Sequence, residues 1–145
     1  MKELVDFGDL PIVYPNWPLA TTQTYLEKNR DAALRFLRAY CQGIQRVKED
    51  RETTLKIFAK YTKVQEPDTL AELYRIYAIN HLEKIPYAKP EAVEEALRSE
   101  AKTNEAARAA DFIDNSLVAE LERNGFFRRL YHQEEAWVIA ISENG

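Results

Sequence analysis

The strongest hydrophobic pattern in the chain runs from about residue 31 to residue 49. Apolar side chains recur there at steps of three and four, which is the period of an amphipathic helix with one buried face. Asp31 near the start and Lys48 near the end suit the two ends of the helix dipole. The pattern predicts a long helix whose inward positions are Leu34, Leu37, Tyr40, Cys41, Ile44 and Val47.

Shorter helices are predicted on both sides of this one. A helical turn fits residues 24–29, and a second helix fits residues 52–61. Pro67 suits the first position of a third helix, which we expect to reach His81, because a proline there loses no hydrogen bond. The inward positions of the second helix are Leu55, Phe58 and Tyr61, and those of the third are Leu70, Leu73, Tyr74, Tyr77 and Ala78.

Proline, glycine and N-capping residues divide the second half of the chain into short elements. A turn is expected at residues 85–87, and Pro90 begins a fourth helix with Val93, Ala96 and Leu97 inward. Residues 101–111 are expected to be irregular or weakly helical. Three N-cap candidates at 114–116 precede a helix over residues 117–122. Gly125 occupies the expected C′ position, and Phe126 would fold back over that helix end.

The two ends of the chain carry a different pattern. Three prolines exclude a regular helix from residues 1–18, and short strands are candidates at residues 4–7, 10–14 and 19–22. The apolar run at residues 137–141 suits a strand or a further helical turn. We therefore predict one mostly α domain over residues 1–145. It comprises an extended segment (1–23), a helical body (24–126) and an unassigned tail (127–145).

Composition and charge narrow the class of protein. Hydrophobic residues make up 46% and charged residues 30%, which is typical of globular chains and not of disordered ones. The net charge of −4 argues against nucleic acid as a partner, because a phosphate-binding surface needs clustered Lys and Arg. No run is long and apolar enough for a transmembrane helix, and acids interrupt the N-terminus where a signal peptide would be apolar. A chain expressed as written would stay in the cytoplasm.

Catalytic and metal-binding motifs are not found in the sequence. It contains no glycine-rich phosphate loop, no Gly-x-Ser-x-Gly elbow and no His-Glu-x-x-His pair. The single cysteine, Cys41, excludes an internal disulfide and falls on a predicted buried stripe. His81 and His132 are far apart, and nothing in their spacing requires a metal. We expect no enzyme, no catalytic residue, no metal and no cofactor.

The best candidate binding element is the stiff loop at residues 14–18. Trp17 stands between two prolines there, with the amide of Asn16 beside it. Such a loop can stack an aromatic plane on a small ligand, or the ring can cover the edge of the core. Asn16 and Trp17 are the predicted ligand-binding residues. The tyrosines on the helices (Tyr40, Tyr61, Tyr74 and Tyr77) can likewise line helix contacts or offer hydroxyl groups to a ligand.

Several segments, taken in order, resemble one family. They are Tyr14 and Pro15, residues 19–22 (Leu-Ala-Thr-Thr), 25–29 (Tyr-Leu-Glu-Lys-Asn), 35–40 (Arg-Phe-Leu-Arg-Ala-Tyr), 43–44 (Gly-Ile), 55–62, 85–87 (Ile-Pro-Tyr), 111–116 (Asp-Phe-Ile-Asp-Asn-Ser), 121–122 and 125–126. The family is the nitrate, sulfonate, taurine and thiamine-precursor group of solute-binding proteins that serve ABC importers. The resemblance covers about residues 6–127.

The resemblance implies a class II periplasmic-binding α/β fold with two lobes, in which hinge closure traps a small-molecule solute. It places this chain at the helical C-terminal portion, from the point where the chain returns towards the first lobe. The N-terminal half, its signal peptide and most ligand contacts would then be absent. The implied partner is an ABC permease, and the implied location is the periplasm or the cell surface.

Two functional hypotheses follow. The first is a solute-binding protein of an ABC importer, present as a C-terminal or truncated form. The second is a helical, self-associating interaction module with no small-molecule ligand, because a lobe separated from its partner exposes apolar surface. In the second case we expect a homo-oligomer, in which the tail around residues 137–141 can pair between chains.

Overall fold

The computed structural model describes residues 19–99 and 108–131, and these residues are mostly helical. The elements are α1 (Gln23–Lys28), α2 (Arg30–Glu49), α3 (Arg51–Thr62), α4 (Pro67–Leu73), a π-helix (Tyr74–His81), α5 (Pro90–Ser99), a 3₁₀ turn (Ala109–Asp111), α6 (Ser116–Arg123) and α7 (Phe126–Leu130). The predicted mostly α class is therefore confirmed, and the starts and ends of α2 and α3 lie within about one residue of those predicted.

Two compact units divide the chain. One comprises residues 1–20 and 87–115, and the other comprises residues 21–86 and 116–145. The larger unit contains α1 to α4, the π-helix, α6 and α7, and the smaller unit contains α5 and the 3₁₀ turn. Nothing in the sequence pattern predicts this division, and the single domain stays a prediction.

The core of the larger unit is built around α2. This helix packs against α1, α3, α6 and the π-helix. Its buried residues are Leu37, Cys41 and Ile44, which are three of the predicted inward positions. From α6 the core receives Leu121, which is fully buried, together with Leu117 and Val118. Burial of one apolar stripe therefore holds the longest helix in place, as its period predicts.

α3 begins at a well-made N-cap. The Asp50 carboxylate accepts hydrogen bonds from the backbone N–H of Thr53 (3.0 Å) and from its hydroxyl (2.8 Å). The helix ends at Lys63, whose φ of 64° is left-handed. Tyr61, in the last turn, was predicted to face inward, and this is wrong because 74% of it is exposed. Its ring lies under the Lys60 ammonium at 5.5 Å, an exposed cation–π contact.

The third predicted helix changes type halfway along. α4 starts at Pro67 as expected, but from Tyr74 the chain continues as a π-helix, and Leu82 N–H donates to the carbonyl of Tyr77 five residues earlier. A turn closed in this way contains more than four residues, so residues four apart stay aligned and residues three apart rotate away. Leu70, Tyr74 and Ala78 are accordingly buried, whereas Tyr77, predicted to face inward, is 45% exposed.

Gly125 ends α6 and starts α7. Its φ of +69° is left-handed, as expected for a C′ glycine, and its N–H donates to the carbonyl of Glu122 (2.9 Å). Phe126 was predicted to cover the helix end. Instead it begins α7, and the buried ring is that of Phe127, which packs edge-to-face on Phe126 at 5.3 Å. The segment left unassigned from residue 127 therefore starts as a helix.

The smaller unit is held by small apolar residues. Ala92 of α5 and Ala109 of the 3₁₀ turn are buried, and these two elements pack together. The predicted inward positions Val93, Ala96 and Leu97 are only half-buried, and the buried residue of α5 is Ala92. Asn115, an N-cap candidate, instead exchanges two hydrogen bonds with the backbone of Ala88 (2.9 and 3.0 Å).

The segments predicted as strands are in part described. Residues 19–22 form no strand in the part of the chain that the structure describes. Thr22 does have extended backbone, but its hydroxyl accepts from Tyr25 N–H (3.2 Å) and caps α1. The candidates at residues 4–7, 10–14 and 137–141 lie outside the described residues. Among the described helices none is long and apolar enough to cross a membrane.

Candidate functional site

The ligand-binding residues predicted from the sequence, Asn16 and Trp17, lie outside the described residues. The chain is described from Leu19 onward, and Leu19 and Ala20 are exposed. The search for a site within the described residues therefore depends on grooves, on clustered polar groups and on uncovered apolar surface.

One open groove of about 420 Å³ lies where α1 meets α2. Asn29 joins the two helices, and its side-chain amide donates to the carbonyl of Tyr25 (3.1 Å) and makes no cap for α2. The first N–H groups of α2 therefore have no side-chain cap and favour an anion by the helix dipole. The groove is lined by Glu27, Lys28, Asn29, Arg30, Asp31, Ala32 and Arg35.

The groove is polar, but its charges largely offset one another. Three cations and two acids line it. One of these cations, Arg30, already forms an ion pair with an acid outside the groove. The Arg30 guanidinium pairs with the Glu120 carboxylate of α6 at 2.8 Å and donates to the Ser116 hydroxyl at 3.3 Å. The arrangement fixes the start of α2 on α6 and leaves a shallow surface on which the remaining cations, Lys28 and Arg35, are balanced by the acids Glu27 and Asp31. Sequence reasoning missed it because the cations are interleaved with acids.

Cys41 carries an unreactive thiol. The residue is fully buried, and this burial raises the pKa of its thiol to about 11. The thiolate is the reactive form of cysteine, so a thiol with this pKa is protonated and unreactive at neutral pH. The structure therefore places Cys41 in the core, as its position on the apolar stripe predicts.

Lys48 ties the end of α2 to the π-helix. Its ammonium donates to the carbonyl oxygens of Ala78 (2.6 Å) and Ile79 (3.5 Å), while the hydroxyl of Tyr74 donates to the carbonyl of Lys48 (2.8 Å). Desolvation lowers the pKa of Lys48, and the neighbouring Lys84 ammonium lowers it further. These polar groups are used for internal contacts, and Tyr74 accordingly lines a helix contact, one of the two roles left open for it.

Tyr131 fixes the point where the described chain ends. Its hydroxyl donates to the carbonyl of Lys84 (2.9 Å), and the Lys84 ammonium lies 5.0 Å from its ring centre. Burial raises the pKa of Tyr131 to about 12, and the neighbouring Cys41 thiol and Glu49 carboxylate contribute. The end of α7 is thus anchored beside α2.

A second apolar surface follows α2 on a side that faces away from its buried stripe. Ala32, Phe36, Ala39 and Gly43 recur at steps of three and four, and we call them the second apolar face of α2. Phe36 is 60% exposed, Ala39 and Gly43 are exposed, and a Cβ added at Gly43 would have no atom within 4 Å. An uncovered face of this kind is typical of a surface that binds another chain segment or protein.

Comparison with known proteins returns no match to this chain, whether the comparison is with family models, with curated proteins or with solved structures. Within residues 19–99 and 108–131, no group of three or more His, Cys, Asp or Glu side chains is placed to hold a metal ion.

Proposed function

We propose that this chain is the helical C-terminal part of a solute-binding protein of an ABC importer. The observation that carries the proposal is that several of the segments resembling that family lie within, or at the end of, a single helix. Residues 35–40 and 43–44 lie within α2, residues 55–62 lie within α3, and residues 121–122 and 125–126 mark the end of α6 and the start of α7.

In this role the described helices act as a scaffold. Their buried polar groups bond to backbone atoms: Lys48 and Tyr74 join α2 to the π-helix, and Thr54 donates to the carbonyl of Val47 (3.1 Å). Recognition of the solute is assigned to the loop that carries Asn16 and Trp17, which would form one rim of the cleft between two lobes. The partner would be a permease, and no catalytic activity is expected.

A ligand-dependent shift in melting temperature tests this function. We expect one class of solute among nitrate, small alkylsulfonates and pyrimidines to raise the Tm of the chain, because a ligand that binds the folded state stabilises it. Trp17→Ala and Asn16→Ala should abolish the shift. Tyr61→Ala, which removes an exposed ring on α3, is the matched control and should preserve it.

A second candidate function is supported by the exposed apolar residues of the larger unit. Tyr61 is 74% exposed, Phe36 60% and Ile57 47%, and surface of this kind favours association. A self-associating helical module would show a mass that rises with concentration in light scattering, with no response to any solute. A monomer at high concentration would exclude it, and an unchanged Tm across the whole panel would exclude solute binding by this chain.

A further inference from the structure

The second apolar face of α2 lacks a partner in the described part of the chain. The residues that pack on α2 belong to α1, α3, α6 and the π-helix, and they cover the stripe of Leu37, Cys41 and Ile44. Successive residues of a helix are about 100° apart, so Ala32, Phe36, Ala39 and Gly43 fall within one narrow sector on another side. No charged residue of α2 falls between them in that sector.

We propose that residues 137–141 of the same chain fold back and cover the second apolar face of α2. The segment reads Trp-Val-Ile-Ala-Ile and contains no charged residue. Its aromatic and branched side chains suit a surface that offers a gap at Gly43 and small side chains at Ala32 and Ala39. This inference concerns the internal packing of the chain and does not depend on a solute.

The place where the described chain ends supports this occupant. Tyr131 is anchored on Lys84, next to Cys41 and Glu49, and so leaves the fold beside the C-terminal half of α2. An extended chain advances about 3.3–3.6 Å per residue, so the stretch from Tyr131 to Trp137 reaches about 20 Å. A helix with its side chains is about 10–12 Å across, so a path of about 20 Å goes just over halfway around α2.

Charge complementarity along that path supports it as well. On the surface of α2, Arg38 and Arg35 lie between the side next to Tyr131 and the second apolar face. Both arginines are exposed, and neither has an ion-pair or hydrogen-bond partner among residues 19–99 and 108–131. In the tail, Glu134 and Glu135 come between Tyr131 and the apolar segment. The order of acids and apolar residues in the tail therefore matches the order of cations and apolar residues on α2.

The same tail could in principle cover α2 of a second copy. A short linker, however, holds the segment near its own α2 at an effective concentration in the millimolar range. Association between two chains at micromolar concentration would have to compete with that. The intramolecular arrangement is therefore favoured at the concentrations at which proteins are usually studied.

Tryptophan fluorescence tests the proposal directly. The chain has two tryptophans, so Trp17→Phe leaves Trp137 as the single reporter. We expect blue-shifted emission and slow quenching by acrylamide in a dilute, monomeric sample. Gly43→Lys, which places a charge on the second apolar face, should shift the emission to longer wavelength and raise quenching several-fold. Ile57→Lys, which places the same charge on an exposed apolar residue of α3, is the matched control and should leave both unchanged.

Charge exchange provides an independent reading. Arg35→Glu with Arg38→Glu should expose Trp137, and the further changes Glu134→Arg and Glu135→Arg should restore its protection. Far-ultraviolet circular dichroism checks that each variant retains its helices. If Glu134→Arg and Glu135→Arg do not restore the protection of Trp137, the tail is not held by ion pairs with Arg35 and Arg38.

A cysteine pair decides between the possible occupants. Ala39→Cys combined with Ile139→Cys should form a disulfide within the monomer under mild oxidation, while the buried Cys41 stays reduced. Disulfide-linked dimers would assign the face to a second copy. The proposal is overturned by linked dimers, by Trp137 that is as accessible as in the unfolded chain, or by a Gly43→Lys variant with unchanged fluorescence.

Discussion

The two apolar sides of α2 share the same residue spacing but differ in how far they are buried. On one side Leu37, Cys41 and Ile44 are almost entirely buried between neighbouring helices. On the other side Phe36 is 60% exposed and the space around Gly43 is open. Both sides repeat at three and four residues. The period of a hydrophobic pattern thus locates an apolar face, but the elements that pack on a face decide whether it is covered.

The two faces also contribute differently to the stability of the fold. The buried stripe stabilises the fold by removing apolar area from water, which amounts to about 25 cal/mol for each Å² buried. The second apolar face contributes little until something covers it. Stability is therefore expected to depend on the first face, and association or tail docking on the second.

The largest expected effect is truncation of the buried stripe. Ile44→Ala should lower the free energy of unfolding by about 2–5 kcal/mol, because it removes buried methylenes and leaves a cavity. Phe36→Ala removes more atoms but should cost less than Ile44→Ala, since the described helices leave 60% of Phe36 exposed. Urea denaturation followed by circular dichroism measures both. Equal losses for the two variants would show that the second face is covered as completely as the first.

Two glycines of the larger unit should respond in opposite directions to the same change. Gly125→Ala should destabilise by roughly 1–2 kcal/mol, because a Cβ disfavours the left-handed backbone at φ +69°. In a chain shortened to end at residue 136, which lacks the proposed covering segment, Gly43→Ala should stabilise by up to about 1 kcal/mol, because Gly43 lies inside α2 with open space around it. The Tm of each variant checks the signs. A loss at Gly43 would indicate a close neighbour on the second apolar face.

The smallest effect expected is a pH dependence at the N-cap of α3. Hydrogen bonds from the backbone and side chain of Thr53 lower the pKa of Asp50, and the Arg46 guanidinium at 2.6 Å lowers it further. A lowered folded-state pKa stabilises the protein above the unfolded value of about 3.9, and this contribution is lost as pH falls through the folded pKa.

Asp50→Asn isolates that contribution, because asparagine also caps helices but carries no charge. The Tm difference between the wild-type chain and this variant should be present at pH 7 and should shrink as the pH approaches 3. A difference that stays constant over this range would show that the charge of Asp50 does not contribute.

Local sequence signals predicted most of the described fold. Prolines marked the starts of α4 and α5, Gly125 marked the end of α6, and the 3.6 period marked α2. The predictions that failed were those that needed the neighbours of a residue. Tyr61 and Tyr77 are as apolar as Tyr74, but only Tyr74 of the three is buried, and its hydroxyl donates to the backbone carbonyl of Lys48. Their exposure could not be read from period alone.

The candidate surfaces were less predictable than the helices. The groove between α1 and α2 lies where α1 ends and α2 begins, on either side of Asn29. The start of α2 is held there by the ion pair between Arg30 and Glu120, which are far apart in sequence. The anchoring of Tyr131 on Lys84 is also a long-range contact. Asn16 and Trp17 remain the predicted ligand-binding residues, and they are proposed from sequence alone.

By itself the sequence determined the helices, their caps and the buried stripe of α2, because these depend on residues within a few positions of one another. Tertiary structure alone decided the π-helical continuation of α4, where Lys48 and Tyr74 satisfy polar groups across two helices. It alone decided that the described helices leave the second apolar face of α2 open. Burial and hydrogen bonding between distant segments depend on where the chain folds back, and no local period encodes that position.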